Sequence, residues 1–283
     1  MSLYNIVNPA SLQPGQPEDV SQVLANFQAI QAVLNGGIDD VNIRSTAAIQ
    51  ISKLNGYPSD ITKSPRGDGA WGSRIPTRQV LSTTGGGTYT TPAGCIAILV
   101  ECIGAGGGSA PMLINPTNAG VGGGGGGGAY AASFITNPAA TYAYNVAPGG
   151  GAAVSTAAGL TSFGSSLVVA AGGSSGVIVA STGYATAGAG AGGSVASSTG
   201  QLTIAGSDGE IGVCTGATSI VSFGNGGAAA RGGGTTRCGL SNPAAGITGK
   251  FPGGGASACW VTTSGNPAGA IGAQGLIVVT EYY

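Results

Sequence analysis

The 283-residue chain has no histidine, and charged residues make up only 7% of it. A Ser-His-Asp or Cys-His catalytic set and a histidine metal site are therefore excluded. The net charge is −1 and the few basic residues form no cluster, which excludes a nucleic-acid surface that works by charge. No apolar run reaches the roughly 20 residues of a membrane-spanning helix, so we expect no membrane insertion.

Glycine is abundant instead, and it is unevenly placed. Of 57 glycines, seven lie in residues 1–84 and fifty in residues 85–283, whereas twelve of the 19 formal charges lie in the first segment. Glycine and proline together make up about a quarter of the chain, a share typical of disorder. Disordered chains are poor in hydrophobic residues, however, and this chain is 42% hydrophobic. We therefore expect an ordered protein in two parts.

A short coiled-coil helix is predicted over residues 17–37. Proline at position 17 suits the first turn of a helix, and Gly36-Gly37 suits its end. Apolar residues between them alternate at spacings of three and four, the repeat of a coiled coil: Val20, Val23, Phe27, Ile30 and Leu34. The bulk of Phe27 favours three strands over two, so these residues are the predicted trimer interface. The alternative is a single amphipathic helix packed on its own domain.

The glycine-rich part predicts an antiparallel β-sandwich, so the fold class is mainly β. Five segments carry apolar, β-branched or alternating residues bounded by glycine and other turn residues: 96–103, 129–135, 141–146, 167–170 and 276–282.

The glycines between these strands predict a second kind of structure. Apolar residues are interleaved with them, unlike in a flexible linker. A glycine chain in the polyproline II conformation points every N–H and C=O outwards, so such chains can lie close together and satisfy one another. We expect a bundle of glycine helices that includes Gly122–Gly128. The alternative is a set of long disordered insertions.

Neither the cysteines nor the acidic residues predict catalysis. The five cysteines are Cys95, Cys102, Cys214, Cys238 and Cys259. Their odd number and the lack of close spacing predict buried thiols. A disulfide among the last three, Cys214, Cys238 and Cys259, stays open. A carboxylate pair of the kind that cleaves polysaccharides would have to come from only four residues in the glycine-rich part: Glu101, Asp208, Glu210 and Glu281. We therefore expect that the protein is not an enzyme and binds neither a cofactor nor a metal.

Two segments resemble known families. The first matches the neck of bacteriophage tail-fibre proteins at Asp40, Asn42, Ile43, Ala47, Ala48, Ile49, Ser52, Lys53 and Leu54. The second is similar in its order of motifs to the glycine-rich C-terminal domain of phage tail fibres and adhesins, and in style to the ectodomain of anaplastic lymphoma kinase-type receptors. Its motifs lie at 87–94, 103–108, 123–130, 161–164 and 272–279.

The resemblance implies a homotrimeric bacteriophage tail fibre located in the virion tail and synthesised in the host cytoplasm. Residues 1–16 would dock on a tail or baseplate protein, 17–37 would form the trimeric helix, and 38–84 an extended neck. Residues 85–283 would bind a host surface receptor, either a polysaccharide or an outer-membrane protein.

Aromatic and basic residues in predicted loops are the candidate receptor contacts: Tyr184, Arg231, Arg237, Lys250, Phe251 and Trp260. The alternatives are a structural virion protein without a receptor role and a bacterial glycine-rich adhesin or ice-binding protein.

Overall fold

The chain divides into two units, residues 1–61 and 62–283. The computed structural model describes residues 20–36, 63–65, 71–73, 76–112, 118–152, 157–262 and 265–283. The predicted docking segment 1–16 and the neck motif at 40–54 lie outside the described residues.

The first unit contains helix α1, Val20–Gly36, and the predicted helix over 17–37 is confirmed to that extent. Phe27 is 65% exposed, and Leu24 and Ile30 are exposed as well. Val23 is half-buried. An apolar side of α1 is thus open, while the pairing of α1 with other copies stays a prediction.

The second unit is mainly β, as predicted. Its strands are β1 (Lys63–Pro65), β2 (Trp71–Ser73), β3 (Thr77–Leu81), β4 (Gly85–Thr90), β5 (Ala97–Ile103), β6 (Ala119–Gly122), β7 (Tyr130–Thr136), β8 (Thr141–Val146), β9 (Thr161–Phe163), β10 (Val168–Ala170), β11 (Ile178–Ser181), β12 (Ala185–Ala187), β13 (Leu202–Ile204), β14 (Gly212–Gly216), β15 (Ser219–Ser222), β16 (Trp260–Val261) and β17 (Leu276–Tyr282). A single turn of 3₁₀ helix covers Val195–Ser197. The five strands predicted from sequence are confirmed as β5, β7, β8, β10 and β17.

Two antiparallel sheets pack face to face as a sandwich. One has the strand order β13-β7-β5-β17-β3 and the other β10-β9-β8-β4. β5 and β17 alternate so that Ile98, Val100, Ile277 and Val279 point into the space between the sheets, where they meet Phe163 of the second sheet. Burial of these side chains is the main apolar contribution to the stability of this half of the unit.

The first sheet begins earlier in the chain than the sequence indicated. β3 pairs with β17 in the register Thr77↔Glu281 to Leu81↔Ile277. Residues 77–81, which sequence analysis placed in the neck, therefore form an edge strand of the sandwich. The alternation Gln79-Val80-Leu81 allows this, because Leu81 packs on the apolar core while Val80 points outwards.

Between the strands, glycine segments form a close-packed bundle around residues 122–129. Successive N–H groups of this segment donate to three different neighbours with a period of three residues, at N···O distances of 2.8–3.0 Å. Gly122, Gly125 and Gly128 bond to residues 253–259; Gly123, Gly126 and Ala129 to 171–177; Gly124 and Gly127 to 207–210. Three residues per turn is the repeat of a polyproline II helix.

The carbonyl groups of the same segment complete the ring of neighbours. They accept from residues 104–107, 190–193 and 227–230, so the central segment is bonded to six surrounding segments. A Cβ atom at any position from Gly123 to Gly128 would overlap a neighbouring backbone carbonyl, for example that of Gly107 at Gly125. Glycine is therefore required by the spacing of the segments, and the alternative of disordered insertions is wrong for this region.

The bundle has two distinct ends. At the sandwich end its segments continue into strands, as residue 129 does into β7. At the opposite end, here called the distal end, the chain turns through two three-stranded sheets, β11-β6-β16 and β12-β14-β15. The rigid bundle thus holds the distal turns in fixed positions relative to the sandwich.

Candidate recognition surface at the distal end of the bundle

The distal sheets enclose their own small core. Val121, Cys214 and Trp260 are buried there, with Phe223 half-buried against them. The Trp260 indole N–H donates a 2.6 Å hydrogen bond to the carbonyl of Gly239, and its ring lies 4.8 Å from that of Phe223, centroid to centroid. Trp260 is only 7% exposed. Its role is to fix the loop at residue 239, because its polar group already has a partner.

A groove of about 510 Å³ opens beside this core. It is lined by Glu210, Val221, Ser222, Phe223, Asn225, Thr235, Arg237, Cys238 and Leu240. Asn225 organises its polar side, since its side-chain N–H donates to the carboxylate of Glu210 at 2.6 Å and its side-chain oxygen accepts from the Cys238 N–H at 2.8 Å. Both bonds connect different loops, so the groove keeps its shape without a ligand.

The rim of the groove presents one cation among apolar side chains. Arg237 is exposed, Val221 is exposed, and Leu240 is 83% exposed. Tyr184, in the turn between β11 and β12 at the same end of the bundle, is 72% exposed. Arginine and aromatic residues next to exposed apolar ones are typical of binding surfaces.

The structure separates the six predicted contact residues into two groups. Tyr184, Arg237 and Trp260 are at the distal end. Arg231, Lys250 and Phe251 lie at the sandwich end, where the turns between bundle segments return.

Arg231 of the second group is already engaged within the chain. Its guanidinium lies 3.3 Å from the carboxylate of Glu101 and stacks over Tyr130, with its central carbon 4.9 Å from the ring centroid. The pKa of Tyr130 is raised to about 12, mainly by burial and also by the hydrogen bond to Glu101.

The acidic residues of the glycine-rich part each have hydrogen-bond partners in the fold. Asp208 accepts the Gly192 N–H at 2.7 Å, an amide of the bundle. Glu101 accepts from Tyr130, and Glu281 accepts from Tyr89 in the sandwich core. Within the described residues no group of three or more metal-ligating side chains comes together.

The cysteines are all free thiols, four buried and Cys95 half-buried. The structure therefore contains none of the disulfides that the sequence left open. Burial raises the pKa of Cys238 and of Cys259 to about 11, so both stay protonated and weakly nucleophilic near neutral pH.

Several lining residues of the groove were missed by sequence reasoning. Glu210 was considered only as a possible member of a carboxylate pair, and Val221, Asn225 and Leu240 were not singled out. Leu240 carried a usable signal, because a large apolar residue stands there in a stretch of glycine, serine and proline. Asn225 carried none, since its contacts join residues far apart in the sequence.

A family of known sequences covers most of the second unit. The chain belongs to the glycine-rich domain family, whose model matches residues 82–280. Comparison with curated proteins returned no match. Along the described residues, no helix has both the length and the apolar character needed to cross a membrane.

Proposed function

We propose that this chain is a bacteriophage tail-fibre protein that binds a host-cell receptor with the distal end of its glycine bundle. The observation that carries the proposal is the fixed groove around Asn225, with Arg237 and Leu240 on its rim. Pre-organised loops on a rigid scaffold lose little conformational freedom on binding. The resemblance of the neck motif and of the glycine-rich motifs to phage fibres supports the assignment.

The N-terminal part would supply attachment and copy number. Residues 1–16 would dock on a tail or baseplate protein, and α1 would join three copies through its apolar side, where Phe27 and Ile30 are exposed. Three weak receptor sites on one fibre then act together, so that the fibre binds cells far more tightly than a single site does.

The experiment is binding of the fluorescently labelled full-length protein to a panel of bacterial strains. We expect saturable binding to a subset of strains and competition with phage adsorption on those strains. Arg237→Ala and Leu240→Asp should each weaken cell binding about tenfold or more, as expected for a central contact.

Lys250→Ala and Phe251→Ala are the matched controls, because these exposed residues lie at the sandwich end of the same domain. If only the controls reduce binding, recognition is at the other end. Absence of binding to strains that adsorb the phage would favour the structural alternative, a virion protein without a receptor role.

A further inference from the structure

The five-stranded sheet has an outer face, turned away from the sandwich core, that carries an apolar patch. The strand register aligns Leu202 with Ala132, Glu101, Val278 and Val80 in one row across all five strands. The adjacent row includes Phe134 and Leu99. We call Val80, Leu99, Phe134, Leu202 and Val278 the outer patch.

Three of the five side chains of the outer patch are exposed, and Leu99 and Val278 are half-buried. Val80 is 58% exposed, Leu202 50% and Phe134 45%. An antiparallel sheet with one face in water normally alternates apolar and polar residues, whereas continuous apolar strands are typical of sheets covered on both faces. β5 and β17 resemble the strands of sheets covered on both faces, because their sequences, AILVECI and LIVVTEY, are mostly apolar. The composition therefore indicates that the outer face is covered in the working assembly.

Among the described residues, the chain covers one end of this face. Ala229 packs on Ile103 and Tyr130 there. The cover ends at Arg231, which reaches back to Glu101. That ion pair lies within one row of the outer patch, between Leu202 on one side and Val278 on the other. The patch around it is open to an external partner.

The charges around the outer patch favour a second copy of this chain as the partner. Identical faces that meet around the three-fold axis of a trimer bring like charges together, which is unfavourable. Glu101 is neutralised by Arg231. Arg78, on the edge strand β3, is the one further charge that the register places on the described part of this face. The middle of the patch is thus electrically neutral, as self-contact requires, and it offers nothing for a partner recognised by charge.

The size of the outer patch fits a contact between copies that are already linked. Five strands about 4.8 Å apart and two adjacent rows, which span about three residues of 3.4 Å, give roughly 250 Å², about a third of the ~800 Å² per partner of a stable interface. Helix α1, with 17 residues, is also marginal alone. Both elements are on the same chain, so the two weak contacts reinforce each other.

We propose that the outer patch is a contact between copies of this chain, formed when α1 brings the copies together. The inference rests on the trimer of the proposed function. It adds a second self-association site, on the sheet, to the one expected on the helix.

The test is sedimentation equilibrium of the full-length protein over a range of concentrations. The double variant Val80→Glu/Leu202→Glu should raise the concentration at which the trimer dissociates by at least tenfold. Ile211→Glu, at an apolar residue of the distal end that is 51% exposed, is the control and should leave that concentration unchanged. Thermal unfolding of the dilute proteins should be similar, because Val80 and Leu202 are exposed in the single chain.

Different outcomes overturn different statements. If the double variant associates like the parent while Phe27→Glu dissociates the protein, the outer patch is not an interface, and the helical trimer stands. If the parent is a monomer at every concentration, the trimer and this inference are both wrong, whereas receptor binding is judged separately by the cell assay.

Discussion

The phenol of Tyr89 donates a 2.7 Å hydrogen bond to the carboxylate of Glu281, and both side chains are 2% exposed. Thr77, Gln79 and Tyr283 donate to the same carboxylate. A buried charge is tolerated only when hydrogen bonds replace its hydration, and here four side chains do so. Burial raises the pKa of Tyr89 above its usual range, and the hydrogen bond to Glu281 raises it further.

Glu281→Gln should therefore be strongly destabilising. The amide has one acceptor where the carboxylate had two, so donors such as Tyr89 are left unpaired in the core. We expect the free energy of unfolding to fall by about 2–3 kcal/mol, measured by urea denaturation. Glu210→Gln is the control, because this exposed carboxylate has its hydrogen bond to Asn225 at the surface. An equal loss in both variants would contradict the role assigned to the Glu281 cluster.

Gly125→Ala tests the packing of the bundle. The new methyl group would overlap the carbonyl oxygen of Gly107, and both segments are held by hydrogen bonds on several sides. We expect a loss of about 3 kcal/mol or more, or failure to fold. At Gly183 nothing lies within 4 Å of an added Cβ, so Gly183→Ala should leave the melting temperature nearly unchanged. A Gly125→Ala protein as stable as the Gly183→Ala protein would show that the segments can move apart.

Thiol labelling tests the packing of the distal core and of the sandwich. Burial raises the pKa of Cys102, Cys238 and Cys259, and thiolates are the reactive form. In the native protein we expect rapid reaction with a thiol reagent at Cys95 at most, the half-buried cysteine. Five thiols should react after denaturation without reductant. A lower count in denaturant would reveal a disulfide that the structure lacks.

Alkaline pH should destabilise the protein partly through Tyr130. Its pKa in the folded protein is about 12, whereas an unfolded tyrosine titrates near 10. Between these values the folded state holds a proton that the unfolded state has lost, so stability falls as pH rises. Tyr130→Phe should make this fall shallower by at most about 1.4 kcal/mol per pH unit.

Denaturation midpoints of the parent and of Tyr130→Phe at pH 10, 11 and 12 measure the difference between their slopes of stability against pH. Tyr184→Phe, at an exposed tyrosine of the distal end, is the control and should keep the slope of the parent. A Tyr130→Phe slope equal to that of the parent would show that this phenol ionises equally in both states.

The sequence predicts the five strands with the clearest apolar or alternating pattern and misses short ones such as β11 and β15, which have only two large apolar residues each. Segment 97–103 is recognisable because its residues are β-branched or large and glycine follows them. β4 begins with three glycines and two of the four residues of β6 are glycine, so little side-chain pattern marks them. Their pairing is decided by segments distant in the sequence, as in Gly85↔Val146.

The candidate site was predictable to a similar degree. Tyr184 and Arg237 could be identified as surface residues because loops surround them. Trp260 could not be placed correctly from its neighbours, since its burial depends on Phe223 and Gly239. The sequence predicted that the glycine segments form a bundle. It did not predict which segments are neighbours, because that depends on the path of the whole chain.

The pairing of β3 with β17 has a mechanical consequence. Thr77 lies opposite Glu281, so the segment that precedes β3 joins the sheet beside the C-terminal end of β17. A pull on that segment along β3 loads the β3–β17 hydrogen bonds in shear, so they must break together and not one after another. The bonds from Thr77 and Gln79 to Glu281 share that force. Under the proposed function, a domain tethered through this strand would therefore stay folded while it is pulled against the cell to which it is bound.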